Sequence, residues 1–175
     1  MKMLAIALIV IACVGMVTAQ TPAPAPFDKA QGSPELSRGA PTDRTKATLF
    51  SAADLQAALA KLPADRPASS VRVFTLDPYS VAVEQRQPRT QGAASHADRA
   101  ELFFVIDGAG TMLTGGTIAD GKPSGVNTQG TTITGGTRIE FTKGDFIMVP
   151  SGVPHQFVDL KTPVQVMSMY LPNPK

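Results

Sequence analysis

Tryptophan is absent from this chain of 175 residues, cysteine occurs once and histidine twice. The lone Cys13 lies inside an apolar run, so a chain that loses this run has no thiol and can form no disulfide. A surplus of one charge sign is also missing, with 16 Lys and Arg against 14 Asp and Glu. The basic residues are scattered, which gives no electrostatic footprint for nucleic acid. After the first apolar run nothing approaches the roughly 20 apolar residues that a membrane span requires. No Ser-His-Asp signature, phosphate-binding loop or dinucleotide fingerprint is present.

What is present begins with Lys2, the apolar run Leu4 to Cys13 and the small-residue stretch Val17-Thr18-Ala19. This pattern predicts a signal peptide over residues 1–19, cleaved before Gln20, and a periplasmic or secreted protein. The alternative is a lipid anchor through Cys13, because Val10-Ile11-Ala12-Cys13 loosely resembles a lipoprotein box. About 155 residues then remain, enough for one domain with a real core and too few for two.

Residues 20–48 read as a Pro/Ala-rich and polar N-terminal arm, with a polyproline-like tether at Thr21 to Pro26. The domain itself is expected over 49–175. Ser51 and Asp54 have the spacing of a capping box, and Leu55, Leu59 and Leu62 follow at helical spacing until Pro63 stops the run. From Ser70 onward the period falls to about two, with β-branched and aromatic residues broken by Gly, Pro and Asp. Strands are expected at 71–76, 79–85, 101–106, 110–114, 131–134, 137–141, 146–149, 155–158 and 164–171. The fold class is therefore all-β, a single-domain sandwich or jelly-roll barrel with one short N-terminal helix.

Two features qualify this picture. The run Glu101 to Ile106 is apolar on both alternating faces, so its outer face should be covered by the helix, by the arm or by the partner of a homodimer. The segments Thr111 to Ile118 and Thr131 to Ile139 are imperfect copies built around Gly-Gly pairs. Two copies do not make a solenoid. They are expected to be two edge strands flanking a polar loop over 119–130 that could form a rim or lid.

Gly144 permits a turn, residues 146–149 form a strand, and Pro150 ends it for want of a ladder donor. Gly152 allows a second tight turn, and Pro154 fixes the chain before His155, so the direction of this imidazole is well determined. Upstream, Glu101 enters an apolar strand, and a buried carboxylate needs a cation, a metal or a donor network. His96 and Asp98 lie just before it. Tyr79, Gln85 and Gln156 are pocket candidates on expected strands, as is Glu84.

The spacing Gly144, Pro150, Gly152, His155 matches G(x)5PxGxxH and resembles the second motif of the cupin superfamily. The first cupin motif, G(x)5HxH(x)3-4E(x)6G, is matched in part by His96, Glu101 and Gly108. Ala94 stands at its first histidine and Pro88 at its leading glycine, so one usual ligand is missing. The resemblance implies a small β-barrel with one divalent metal inside, held here by His96, Glu101 and His155, with Asp98 as a weaker candidate. Two histidines and a carboxylate leave coordination positions open and suit iron or manganese better than a closed zinc site. The expected function is binding of a small polar molecule, with metal-dependent oxygenase or isomerase activity as one reading and a non-catalytic, sugar-like binding module as the other.

Overall fold

The structure, a computed structural model, describes residues 42–174. The expected signal peptide, Cys13 and most of the N-terminal arm lie outside the described residues. Helix α1 (Ala52–Leu59) is capped by Ser51, whose hydroxyl accepts from the Asp54 amide while the Asp54 carboxylate accepts from the Ser51 amide. This reciprocal cap satisfies two of the amides that every helix start leaves without an intrahelical partner. The helix ends before Leu62, whose amide instead donates to the Leu59 carbonyl in a tighter turn.

Thirteen strands follow: β1 (Ala68–Leu76), β2 (Tyr79–Arg86), β3 (Ala93–His96), β4 (Arg99–Asp107), β5 (Ala109–Thr114), β6 (Thr117–Ala119), β7 (Lys122–Ser124), β8 (Asn127–Gly130), β9 (Thr132–Thr134), β10 (Thr137–Thr142), β11 (Phe146–Val149), β12 (His155–Val158) and β13 (Val164–Pro172). One antiparallel sheet has the order β1-β2-β13-β4-β11 and a second the order β10-β5-β12-β3-β8-β7, while β6 and β9 pair as a short ribbon. The two large sheets bury Phe103, Val105, Met112, Phe157, Val164 and Val166 almost completely between them. Alternation along β4, β11 and β13 supplies much of this: every second residue is buried, as period two requires.

The outer face of the five-stranded sheet carries a second cluster, where α1 lays Leu55 and Leu59 over Val73, Val83 and Ile106. The helix thus covers one end of the two-faced strand β4. Toward the β11 edge of the sheet Phe104 packs on Phe146, with ring centroids 4.7 Å apart, and Phe146 and Met148 remain 67% and 51% exposed.

The Gly-Gly repeat has a different meaning from the one its sequence suggested. Strand β5 pairs with β10 and β6 pairs with β9, so the two copies run antiparallel along one bent ribbon. At the bend, a Cβ on Gly116 would come within 2.5 Å of the Thr134 carbonyl oxygen, and one on Gly136 within 2.7 Å of that of Thr114. Each copy therefore places a glycine where the other copy's backbone crosses. Strand β5 is no edge strand, because it lies between β10 and β12. The segment 119–130 is not an open loop either. Its β7–β8 hairpin turns at Gly125-Val126 and adds to the six-stranded sheet through β3.

Candidate metal centre

Three strands converge on the candidate centre. Strand β4 carries Glu101 inward, in the same alternation as Phe103 and Val105. His96 ends β3, and His155 opens β12 opposite Ala94 of β3. The two motif segments are tied to each other by backbone: the Gly152 amide donates to the His96 carbonyl at 2.7 Å. Gly152 itself sits at φ +76°, a conformation that disfavours any side chain.

One ligand atom from each of His96, Glu101 and His155 lies within 4.8 Å of the others. Glu101 Oε2 is 3.1 Å from His96 Nε2 and 3.3 Å from His155 Nε2. All three side chains are nearly closed off from solvent, at 10%, 4% and 6% exposure. Beneath them, the Phe103 ring lies 5.9 Å from that of His155. A carboxylate buried this deeply must be neutralised. Burial raises the pKa of Glu101, but the His155 and His96 contacts outweigh it and hold the carboxyl at about 2. The same contact with Glu101, helped by Asn127, raises the pKa of His96 against the cost of its burial.

The ring nitrogens facing away from Glu101 are also engaged. His155 Nδ1 faces the Val153 carbonyl oxygen at 3.4 Å, and His96 Nδ1 lies 2.8 Å from Asn127 Oδ1. Both imidazoles thus turn Nε2 toward one carboxylate oxygen. Two nitrogens of this kind and a carboxylate form a donor set that a divalent cation would satisfy in place of protons. Tyr170 closes one side, with its ring 5.3 Å from that of His96. Burial, followed by the Glu101 and Glu84 carboxylates, pushes its phenol up to about 12.

The other expected residues are placed elsewhere. Asp98 is in the turn between β3 and β4, half-exposed and 3.2 Å from Arg99, so it does not join the three. Tyr79 is 51% exposed at the start of β2. Gln85 lies one residue out of phase with the interior: its neighbour Glu84 faces the barrel and accepts from Ser168 and Arg86, at 2.7 and 2.5 Å. Gln156 is buried but serves the scaffold. Its amide donates to the Gln91 and Thr131 carbonyls and accepts from Thr132 and the Ile133 amide, which stitches β12 to β9. Gln156 also lines a cleft of about 460 Å³ with Arg89 and Asp159, and none of the three centre residues borders it. Sequence reasoning did not single out Asn127, Arg99 or Tyr170 as neighbours of the centre. Their only local signal is polarity or aromaticity on strands, which many other positions share.

Similarity to known proteins lies in the fold. A Bacillus halodurans protein of known structure is 17% identical, with 77% of this chain and 88% of that chain covered and a TM-score of 0.51. The cupin domain of Schizosaccharomyces pombe Cnp3 is 11% identical over 66% of this chain and 72% of its own, with a TM-score of 0.46. Ectoine synthase from P. lautus is 12% identical over 62% and 67%, also at 0.46. No family model matches the sequence, and no curated protein does. The chain has an all-β fold of the jelly-roll kind, two facing antiparallel sheets around one core.

Proposed function

We propose that this chain is an exported cupin that holds one divalent metal on His96, Glu101 and His155 and acts on a small polar molecule there. The observation that carries the proposal is the buried convergence of the three ligand atoms within 4.8 Å. Iron or manganese is favoured over a closed structural zinc because two imidazoles and one carboxylate leave positions for substrate. Such a metal would polarise a substrate oxygen, as an oxygenase or an isomerase requires. Glu101 remains a carboxylate at any ordinary pH, and the two imidazoles present Nε2 beside it. Tyr170 stays protonated, so its hydroxyl serves as a hydrogen-bond donor rather than a base.

The alternative is a binding module without catalysis, and Ala94 supports it. This residue is opposite His155 where the cupin motif has a histidine, which leaves the centre one nitrogen short. Export is supported by the apolar run and by Ala19 before the expected cleavage at Gln20. Mass spectrometry of the processed chain distinguishes cleavage there from a lipid on Cys13. Elemental analysis of protein purified without chelator or added metal tests the centre itself. Roughly one iron or manganese per chain, lost in His155→Ala while the fold persists, is the expected result. Metal-free protein after reconstitution would sink the metal reading, and full occupancy in His155→Ala would remove that ligand.

A further inference from the structure

The hairpin formed by β7 and β8 contributes one side chain to the centre. Asn127 pairs with His96 across the β3–β8 ladder, and the Ala97 amide donates to the Val126 carbonyl at 2.9 Å, which fixes the hairpin beside the ligand strand. Gly130, at the other end of β8, lets this strand pass close to β6, since a Cβ there would come within 2.3 Å of the Ala119 carbonyl oxygen.

Asn127 Oδ1 has two partners, His96 Nδ1 at 2.8 Å and Arg99 Nη2 at 3.0 Å. A guanidinium only donates, so the amide atom shared between them must be the oxygen. A flipped amide would set its NH2 group against the arginine, donor against donor. With the oxygen fixed, His96 Nδ1 has to be the donor in its own contact, and the ring must present Nε2 toward Glu101. Arg99 is itself held: its guanidinium carbon lies 4.4 Å over the Tyr170 ring, and Nη1 pairs with Asp98 at 3.2 Å.

We infer that Asn127, oriented by Arg99, is a positioning residue that fixes the Nδ1–H form of His96 and so keeps its Nε2 available as a metal ligand. This rests on the metal reading above, with Asn127 acting through His96. The hairpin is then a part of the site, although it supplies no ligand. Asn127→Asp keeps an acceptor for both partners, whereas Asn127→Leu keeps the volume and removes it. Arg99→Met removes the group that orients the amide.

The test has two readouts. In the first, ¹⁵N spectra of the His96 ring are recorded for the full chain, free of metal and loaded with Zn(II) as a diamagnetic probe. Nδ1 should be protonated in both states, and this fixed assignment should be lost in Asn127→Leu and loosened in Arg99→Met. In the second, Mn(II) affinity is measured by calorimetry. It should fall about 10- to 100-fold in Asn127→Leu and return toward the parent value in Asn127→Asp. An unprotonated Nδ1 in the parent protein overturns the inference, as does a folded Asn127→Leu with unchanged Mn(II) affinity. Failure of the parent to bind any metal would defeat the function proposed above, yet the metal-free spectrum would still judge the Asn127 contact, even if Asn127→Leu did not fold.

Discussion

At the scale of single residues, the centre is a contest between burial and charge. Burial by itself pushes the Glu101 carboxyl upward, and the two imidazoles reverse that shift. The signs of the shifts predict the pH behaviour of the metal-free protein. The carboxyl of Glu101, at about 2 when folded against an ordinary 4.5, contributes stability above 4.5 that is lost as pH falls toward 2. His96 has a raised pKa, so its contribution is complete below the ordinary 6.5 and disappears as pH rises through the elevated value. Metal needs the imidazoles free of the proton at Nε2, so the gain in melting temperature on adding Mn(II) should grow from about pH 5.5 to about pH 8.5. Thermal unfolding with and without chelator checks this, and a gain that shrinks with pH would contradict the assignment. The nearby Phe103 has no exposed surface. Its replacement by Ala should cost about 3–5 kcal/mol in chemical denaturation, by lost burial and the cavity left behind.

Elements differ in how far their own residues determine them. Helix α1 is locally specified by Ser51, Asp54 and its leucines, and Ser51→Ala should cost about 1 kcal/mol by urea titration. Strand β11 and the start of β12 are likewise written in Gly144, Pro150, Gly152 and Pro154: the glycines allow the positive φ of the two turns and the prolines fix φ at their own positions. Strands β3, β7 and β8 are not. They are three or four residues long, carry Ala, Ser, Lys, Pro, Asn and Gln, and show no apolar alternation. Their strand state comes from the ladder between Ala93–His96 and Asn127–Gly130, a pairing across some thirty residues that no local pattern announces. Gly130 is where this dependence can be tested. Gly130→Val should separate β8 from β6 and disturb His96 through Asn127, seen as lost amide protection along β3 and β8 while α1 stays protected.

On the scale of the whole molecule, the outer face of the five-stranded sheet is half covered. Helix α1 closes the end near β1 and β2, and the end near β11 exposes Phe146 and Met148 beside Phe104. The homodimer expected from the two-faced strand β4 would bury this end. Phe146→Asp should then shift a dimer to monomer in sedimentation velocity without loss of metal, and a parent protein that already sediments as a monomer would remove the expectation. No helix among the described residues is long and apolar enough to cross a membrane.

Local pattern along the chain is enough for the all-β class, the capped helix and nine of the strands within a few residues, and the motif resemblance implied the three residues that meet at the centre. These follow from period, turn chemistry and motif spacing, which act over a few positions along the chain. Tertiary structure alone decided which face of β2 looks inward, so that Glu84 and not Gln85 enters the barrel. It also made Gln156 a scaffold residue and brought Asn127 to His96. Strand register is a long-range choice in which a slip of one residue exchanges the faces. Its energy resides in pairings between distant segments, and the local sequence carries no record of them.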